Sequence, residues 1–176
     1  TITPHWNWND GKEHIIWDAS RGDRYCQLVK TADGKLVLRI RNDHDDAWSY
    51  TIDASFLKKG EKVHILVTVR YTTFGQGTSP KNECHPELRI YINGKLVKGR
   101  FWVDENDGDW LPNDAGDIAR KFNTLRIGDD CQSGYQKDNN GGDFTLHSVR
   151  IYNRILSPGE VSSLYKKASG ESLESR

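Results

Sequence analysis

Two tryptophans, Trp102 and Trp110, bracket side chains that can hold a sugar: Asp107 and Asp109 between them, and Asn113 just beyond. A sugar ring offers a flat C–H face on which an indole stacks, while carboxylates and amides exchange hydrogen bonds with its hydroxyls. Tyr135, in a stretch rich in Gly, Asn and Asp, supplies another aromatic platform. These six residues are the candidate carbohydrate contacts. Trp6, Trp8 and Trp48 also stand among polar residues. Trp17 and Trp48 fall inside alternating runs, where tryptophan is ordinarily core.

Other chemistries are poorly written in this chain. Residues 42–46 and 104–107 hold enough carboxylates for calcium but lack the spacing of a calcium-loop helix pair. Calcium is thus the cofactor these loops could take. No Gly-x-Ser-x-Gly elbow occurs. Gly75-Gln-Gly77 neither follows a suitable strand nor opens a helix, so it is no phosphate loop. The six histidines are scattered without metal-ligand spacing; His14 and His64 read as strand residues. Of three cysteines, none pairs at zinc spacing. Cys26 sits in an apolar alternating run and reads as a buried thiol. Cys84 and Cys131 lie in polar, Gly-rich stretches; a bridge between them would fit an oxidising compartment, and a count of three free thiols without reductant would exclude it. Arg21-Gly-Asp23 is an adhesion tripeptide in other settings and reads here as a turn between strands.

Charge narrows the partners. Lys+Arg and Asp+Glu are both 25 in 176 residues, so no basic excess is available to neutralise phosphates, and a nucleic-acid partner is not expected. No apolar stretch approaches the roughly 20 residues that span a bilayer, so no membrane partner is expected either. The chain begins at Thr1 and contains no methionine, as expected of a segment from a longer polypeptide whose other domains are its neighbours.

The elements that must position these residues are strands. Val63, Ile65, Val67 and Val69 alternate with polar residues, as do Leu36, Leu38 and Ile40, and Leu88, Ile90 and Ile92. Period two marks half-buried strands with one wet face. Asp33-Gly34 and Asn93-Gly94 tolerate positive φ and read as tight hairpin turns. Further strands are expected at 14–17, 25–31, 48–52, 100–103, 124–127 and 144–152. Many short antiparallel strands imply a sandwich or barrel.

One helix is written at the end. Ser157 is an N-cap, Pro158 the first helical residue and Glu160 the partner of a capping box, with Leu156 and Val161 as a hydrophobic staple. It should run to about Lys167. The expected organisation is one β-sandwich domain over 1–168 and a flexible tail or linker over 169–176. Three long loops, at 72–86, 104–122 and 129–143, are where function is expected.

Three runs carry a resemblance. Leu88-Arg-Ile-Tyr-Ile-Asn-Gly-Lys-Leu-Val97, Thr124-Leu-Arg-Ile-Gly128, and the closing run from Phe144 through Val149-Arg-Ile-Tyr-Asn-Arg154 to Glu160 resemble, in the same order, the motifs of laminin-G-like, concanavalin A-like lectin-glucanase domains. The likeness covers roughly the C-terminal half. It implies an all-β jelly-roll sandwich of two curved antiparallel sheets with one short C-terminal helix. It also implies an extracellular or cell-surface location and glycan-binding or adhesive work. The acidic pair that often precedes the closing strand is His147-Ser148 here, which argues against that family's calcium. Glucanases of this shape set three carboxylates on one strand face, where a nucleophile and an acid flank the glycosidic bond. No such run exists here, and His85-Pro-Glu-Leu-Arg89 matches the lyase strand of the fold only in its last three residues. The expectation is therefore a non-catalytic carbohydrate-binding module that takes a polysaccharide or glycan. A structural or adhesive protein-interaction domain is the alternative, and a glycan-cleaving enzyme with an unfamiliar carboxylate site the third reading.

Overall fold

A computed structural model describes residues 1–8, 10–21, 24–41, 47–71, 86–104, 124–128 and 142–170. Eleven strands and one helix fall within them. The strands are β1 (Ile2–Pro4), β2 (His14–Arg21), β3 (Arg24–Lys30), β4 (Lys35–Arg41), β5 (Ala47–Asp53), β6 (Ile65–Tyr71), β7 (Pro86–Ile92), β8 (Lys95–Leu96), β9 (Arg100–Asp104), β10 (Thr124–Ile127) and β11 (Phe144–Leu146). The helix α1 spans Pro158–Ser169. The all-β reading stands.

Among the described residues every strand pairing is antiparallel. A six-stranded sheet runs β10-β2-β3-β4-β5-β9, and a three-stranded sheet runs β6-β7-β8. β1 and β11 form a short ribbon. Ile2 and Val63 exchange backbone bonds of 2.9 and 2.8 Å, which ties that ribbon to the residues leading into β6.

One apolar cluster joins the two main sheets. Cys26, Leu28, Leu36, Leu38, Ile40, Trp48 and Ile52 come from the larger sheet, and Leu88, Ile90 and Ile92 from the smaller. Period-two alternation explains it, since successive side chains take opposite faces and one face of each strand is apolar. The wet face expected of β6 and β7 is not simply wet. Leu66 and Tyr91 lie on the side away from this core and pack under α1 with Leu156, Val161 and Leu164. The helix therefore covers the outer face of the smaller sheet.

Local chemistry explains the helix. The Ser157 side chain accepts from the Glu160 N–H at 3.3 Å, and the Ser157 N–H donates to Glu160 at 2.8 Å. That is the capping box, with Pro158 at the helix start. Leu156 and Val161 are both buried in the helix cluster, as a staple requires. The helix continues past Lys167 to Ser169 and ends on Gly170 at φ 79°, so the boundary expected after 168 falls inside its last turn.

The two hairpins differ from each other. Asn93 (φ 50°) and Gly94 (φ 78°) join Ile92 to its ladder partner Lys95, a two-residue turn with both centres left-handed. A Cβ on Gly94 would also lie 2.9 Å from the Cβ of Tyr165, so glycine permits the approach of α1 as well. The Asp33-Gly34 connection is the three-residue loop left between a strand expected to end at Thr31 and β4, which begins at Lys35. The Thr31 N–H donates to Lys35 at 2.8 Å, which leaves a three-residue loop with only Gly34 left-handed. Thr31 selects it: its hydroxyl donates to Asp33 at 2.5 Å and accepts from the Lys35 N–H at 3.1 Å.

The strand expected over 144–152 stops at Leu146, where β11 runs out of β1 residues to pair with. The strand expected at 14–17 instead extends to Arg21, held on one side by β3 and on the other by β10. Arg21 ends β2 and the paired β3 begins at Arg24, so the adhesion tripeptide flanks a hairpin connection; residues 22–23 lie outside the described residues.

Candidate functional site

The outer face of the six-stranded sheet carries a cross-strand row of polar and aromatic side chains. Ladder register fixes it: Asp18 pairs with Gln27, Gln27 with Arg39, Arg39 with Ser49, and Ser49 with Trp102. Directly paired residues share a face. Their sequence neighbours Leu28, Leu38, Ile40 and Trp48 point into the core, so the row points away from it. Tyr25, two residues before Gln27 on β3, belongs to the same face.

Arg39 is the centre of the row. Its Nε–H donates to Gln27 at 2.8 Å and its Nη2 to Glu13 at 3.0 Å. Its guanidinium carbon sits 5.7 Å from the centroid of the Tyr25 ring, within cation–π range. A guanidinium carries five N–H donors, so a hydrogen-bonding edge is left for a ligand after these two contacts. Trp102 closes the row at the β9 edge with 46% of its surface exposed. At about 4.8 Å per strand, the row from β3 to β9 spans roughly 14 Å. Towards β2 the outer face closes: Ile15, Asp18, Gln27 and Val29 are buried. The accessible part is the side formed by β4, β5 and β9.

Two features bear on this surface. Tyr50 reaches beyond its sheet to fix the approach to β9: its hydroxyl donates to the Val97 carbonyl at 3.1 Å and accepts from the Gly99 N–H at 2.8 Å. A Cβ on Gly99 would sit 2.5 Å from the Thr51 carbonyl, so only glycine fits between Tyr50, Thr51 and the strand that carries Trp102. The residues on either side of Glu13 belong to a buried polar knot. The fully buried Lys30 ammonium donates to Asp10 and, at 2.8 Å, to the Lys12 carbonyl. The His14 ring bonds the other Asp10 oxygen at 2.7 Å and stacks under Trp6 at 4.5 Å between centroids. Burial opposes ionisation of Asp10, but the hydrogen bonds from Lys30, His14 and the Lys12 N–H outweigh it and hold the carboxyl well below its usual range.

The sequence-predicted contacts divide sharply. Trp102 is on the accessible face, as an exposed platform. Asp107, Asp109, Trp110, Asn113 and Tyr135 lie outside the described residues, as do Cys84, Cys131 and the oxygen-rich residues 42–46 and 105–107. Trp6 and Trp8 are core rather than surface platforms, despite their polar neighbours in sequence. They belong to the apolar cluster between the sheets: Trp6 meets Trp8 edge-on at 6.0 Å and Phe144 edge-on at 5.8 Å. Trp48 is fully buried, as its alternating run predicts. Tyr25, Gln27, Arg39 and Ser49 were not singled out from sequence. Their signal was the wet half of each alternating strand, which becomes a site only once register aligns those halves.

Among the described residues no group of three or more His, Cys, Asp or Glu side chains is placed to hold a metal ion. None of their helices is long and apolar enough to cross a membrane, which leaves strand-borne spans untouched.

No protein-family model matches the chain. No curated protein matches it. A crystal structure of residues 221–444 of an S-layer domain-containing protein from Clostridium thermocellum ATCC 27405 aligns at 22% identity and a TM-score of 0.35. The alignment covers 88% of this chain and 64% of that one, a likeness too remote to transfer fold detail or function.

Proposed function

We propose that this chain is a non-catalytic carbohydrate-binding module, a jelly-roll sandwich of the laminin-G-like, concanavalin A-like kind, within a larger extracellular or cell-surface protein. The observation that carries this reading is the single outer-face row Gln27–Arg39–Ser49–Trp102, with Tyr25 beside it. It combines stacking surface with fixed donors and acceptors, the two things a pyranose needs. Its length suits an extended oligosaccharide rather than one sugar. Trp102 stacks, Arg39 and Ser49 bond hydroxyls, and Glu13 and Gln27 hold the guanidinium in place. Trp110 and its acidic neighbours, which follow β9 in sequence, are further proposed sugar contacts. Binding and release involve no covalent step.

Affinity electrophoresis in gels cast with plant, bacterial and host polysaccharides tests this. Retardation by at least one polysaccharide is expected, with Trp102→Ala and Arg39→Ala each weakening it tenfold or more while the thermal midpoint of Trp102→Ala stays near wild type. Retention on no glycan moves the assignment to a protein-interaction domain that uses the same face. Release of reducing sugar would overturn the non-catalytic reading.

A further inference from the structure

The accessible part of the outer face, on β4, β5 and β9, is lopsided in charge. Arg39 and Arg41 project from β4 and Arg100 from β9, all away from the core. Ser49 and Thr51 lie between them on β5. Asp53, at the end of β5, accepts from the Ser55 N–H at 2.9 Å, and Lys35 is the cation that acts on it. Among the described side chains of these three strands it is the one carboxylate on this face; the Asp104 side chain lies outside them. The whole chain balances 25 basic against 25 acidic residues, so the cationic excess here is local.

Donors therefore outnumber acceptors. A guanidinium only donates, and the Gln27 and Glu13 oxygens nearest the face are taken by Arg39. The hydroxyls of a neutral sugar need acceptors as well as donors, whereas a carboxylate only accepts. Arg100 is the uncommitted donor. It is exposed, and among the described residues its side chain has no hydrogen-bond or ion-pair partner. The backbone beneath it is fixed: the Gly99 N–H donates to the Tyr50 hydroxyl at 2.8 Å, and Arg100 pairs with Thr51 in the ladder. Arg100 and Trp102 are two residues apart on one face of β9, which sets their Cα atoms about 7 Å apart. A ring stacked on Trp102 has its edge within reach of so long a side chain.

Resting on the reading of this face as a glycan-binding surface, we infer that it selects glycans that carry carboxylates, with Arg100 meeting the carboxylate of a sugar stacked on or next to Trp102. The planar guanidinium offers two parallel N–H groups to the two carboxylate oxygens, a charge-assisted pairing about twice as strong as a bond between neutral groups. The indole shields one side of that pair from water, and Ser49 and Thr51 serve the hydroxyls. Arg41 adds to the positive potential that draws an acidic polymer to the sheet. A neutral glycan leaves Arg100 unused and gains only the stacking and hydroxyl contacts. Arg100 is thus the residue that sets the class of sugar, while Trp102 sets where the ring lies.

Affinity gels of the full chain test the selection. The gels carry polygalacturonate, alginate, hyaluronan or polysialic acid, with dextran sulfate and a neutral β-glucan for comparison. Retardation by at least one carboxylated polymer is expected, and the polymer that retards identifies the sugar that bears the group. Methyl esterification of that polymer should weaken binding tenfold or more. Arg100→Ala should bring the ratio of acid to ester binding down to near one while its thermal midpoint stays near wild type. Arg100→Lys keeps the charge but loses the fork, and should restore only part of the ratio. Equal retardation by acid and ester, or retardation by the neutral glucan alone, overturns the selection and leaves the glycan-binding reading standing. Retardation by dextran sulfate and by no carboxylated polymer overturns it as well, as does a ratio that Arg100→Ala leaves intact. Retention on no glycan at all sinks the reading of the face itself and this selection with it.

Discussion

Removing the Asp10 carboxylate is the sharpest single perturbation of this fold. Asp10→Ala leaves the Lys30 ammonium fully buried with only the Lys12 carbonyl in reach. Truncating one partner of a buried ion pair costs about 3–5 kcal/mol, because the other charge remains desolvated. The Asp10 side chain is 20% exposed, so solvent screening holds the cost near the lower end, about 3 kcal/mol. For a domain of this size that is roughly 6–12 °C in Tm, at about 2–4 °C per kcal/mol. Denaturant titration at neutral pH gives the free energy directly. The pH dependence supplies a second signature. A carboxyl whose folded pKa is depressed contributes stability above its unfolded pKa and loses it as pH falls through the folded one. The gap between wild type and Asp10→Ala should therefore be flat from neutral pH down to about 5, and narrow below about 4, the ordinary aspartate value. The double variant Asp10→Asn, Lys30→Met removes both charges and should recover much of the loss. A gap under 0.5 kcal/mol at pH 7, or one that survives unchanged to pH 2, would refute the reasoning.

Three further outcomes follow from the same structure. Ser157→Ala breaks the capping box and should cost about 1 kcal/mol, with Ser157→Asp close to wild type; equal losses in the two would show that the hydroxyl is not acting as a cap. The His64 imidazole is pushed down to about 4 by burial, then by the Thr1 ammonium and Arg150, so its folded form is neutral. Its contribution is present above the usual histidine value near 6.5 and is lost as pH falls towards 4; an NMR titration midpoint at 6.5 would contradict this. Burial, with help from the Asp18 charge, pushes the Cys26 thiol up to about 12, so iodoacetamide should leave it unmodified in the native protein at pH 8 and label it in denaturant. Native labelling of Cys26 on the timescale of a model thiol would show that β3 opens.

How far sequence reaches here depends on whether a signal is local. The capping box at Ser157 and the Asn93-Gly94 turn are written within four residues, and both form as read. At the Asp33-Gly34 hairpin the loop length follows the strand bounds as read, but the Thr31 hydroxyl that accepts from the Lys35 N–H is a contact that turn dipeptides do not encode. Trp6 and Trp8 escaped because their burial is tertiary: Phe144, far along the chain, meets Trp6 edge-on, and His14 stacks on it from the start of β2. Lys30 escaped for the same reason, a charge placed on the core side by β alternation and kept there by Asp10, twenty residues away.

The same logic explains why the candidate site was only half legible. A tryptophan in a polar stretch signals either a surface platform or a core residue, and local composition does not separate them. Trp102 and Trp6 look alike in sequence and part company in the sheet, one on the outer face and one in the core. Arg39 gave no signal of its own, since one strand of alternating residues has a wet face whether or not that face does anything. What makes Arg39 informative is register. Two strands further on, β9 sets an exposed indole in the same row, and one strand back Gln27 fixes the guanidinium. Two bonds on one guanidinium hold it more narrowly than a single exposed ion pair would. Immobilising its guanidinium costs rotamer entropy of about 2 kcal/mol, and that cost is recovered where a ligand meets preorganised donors. The Glu13 and Gln27 contacts on Arg39 are therefore the support for the proposed binding face that aromatic content alone does not give.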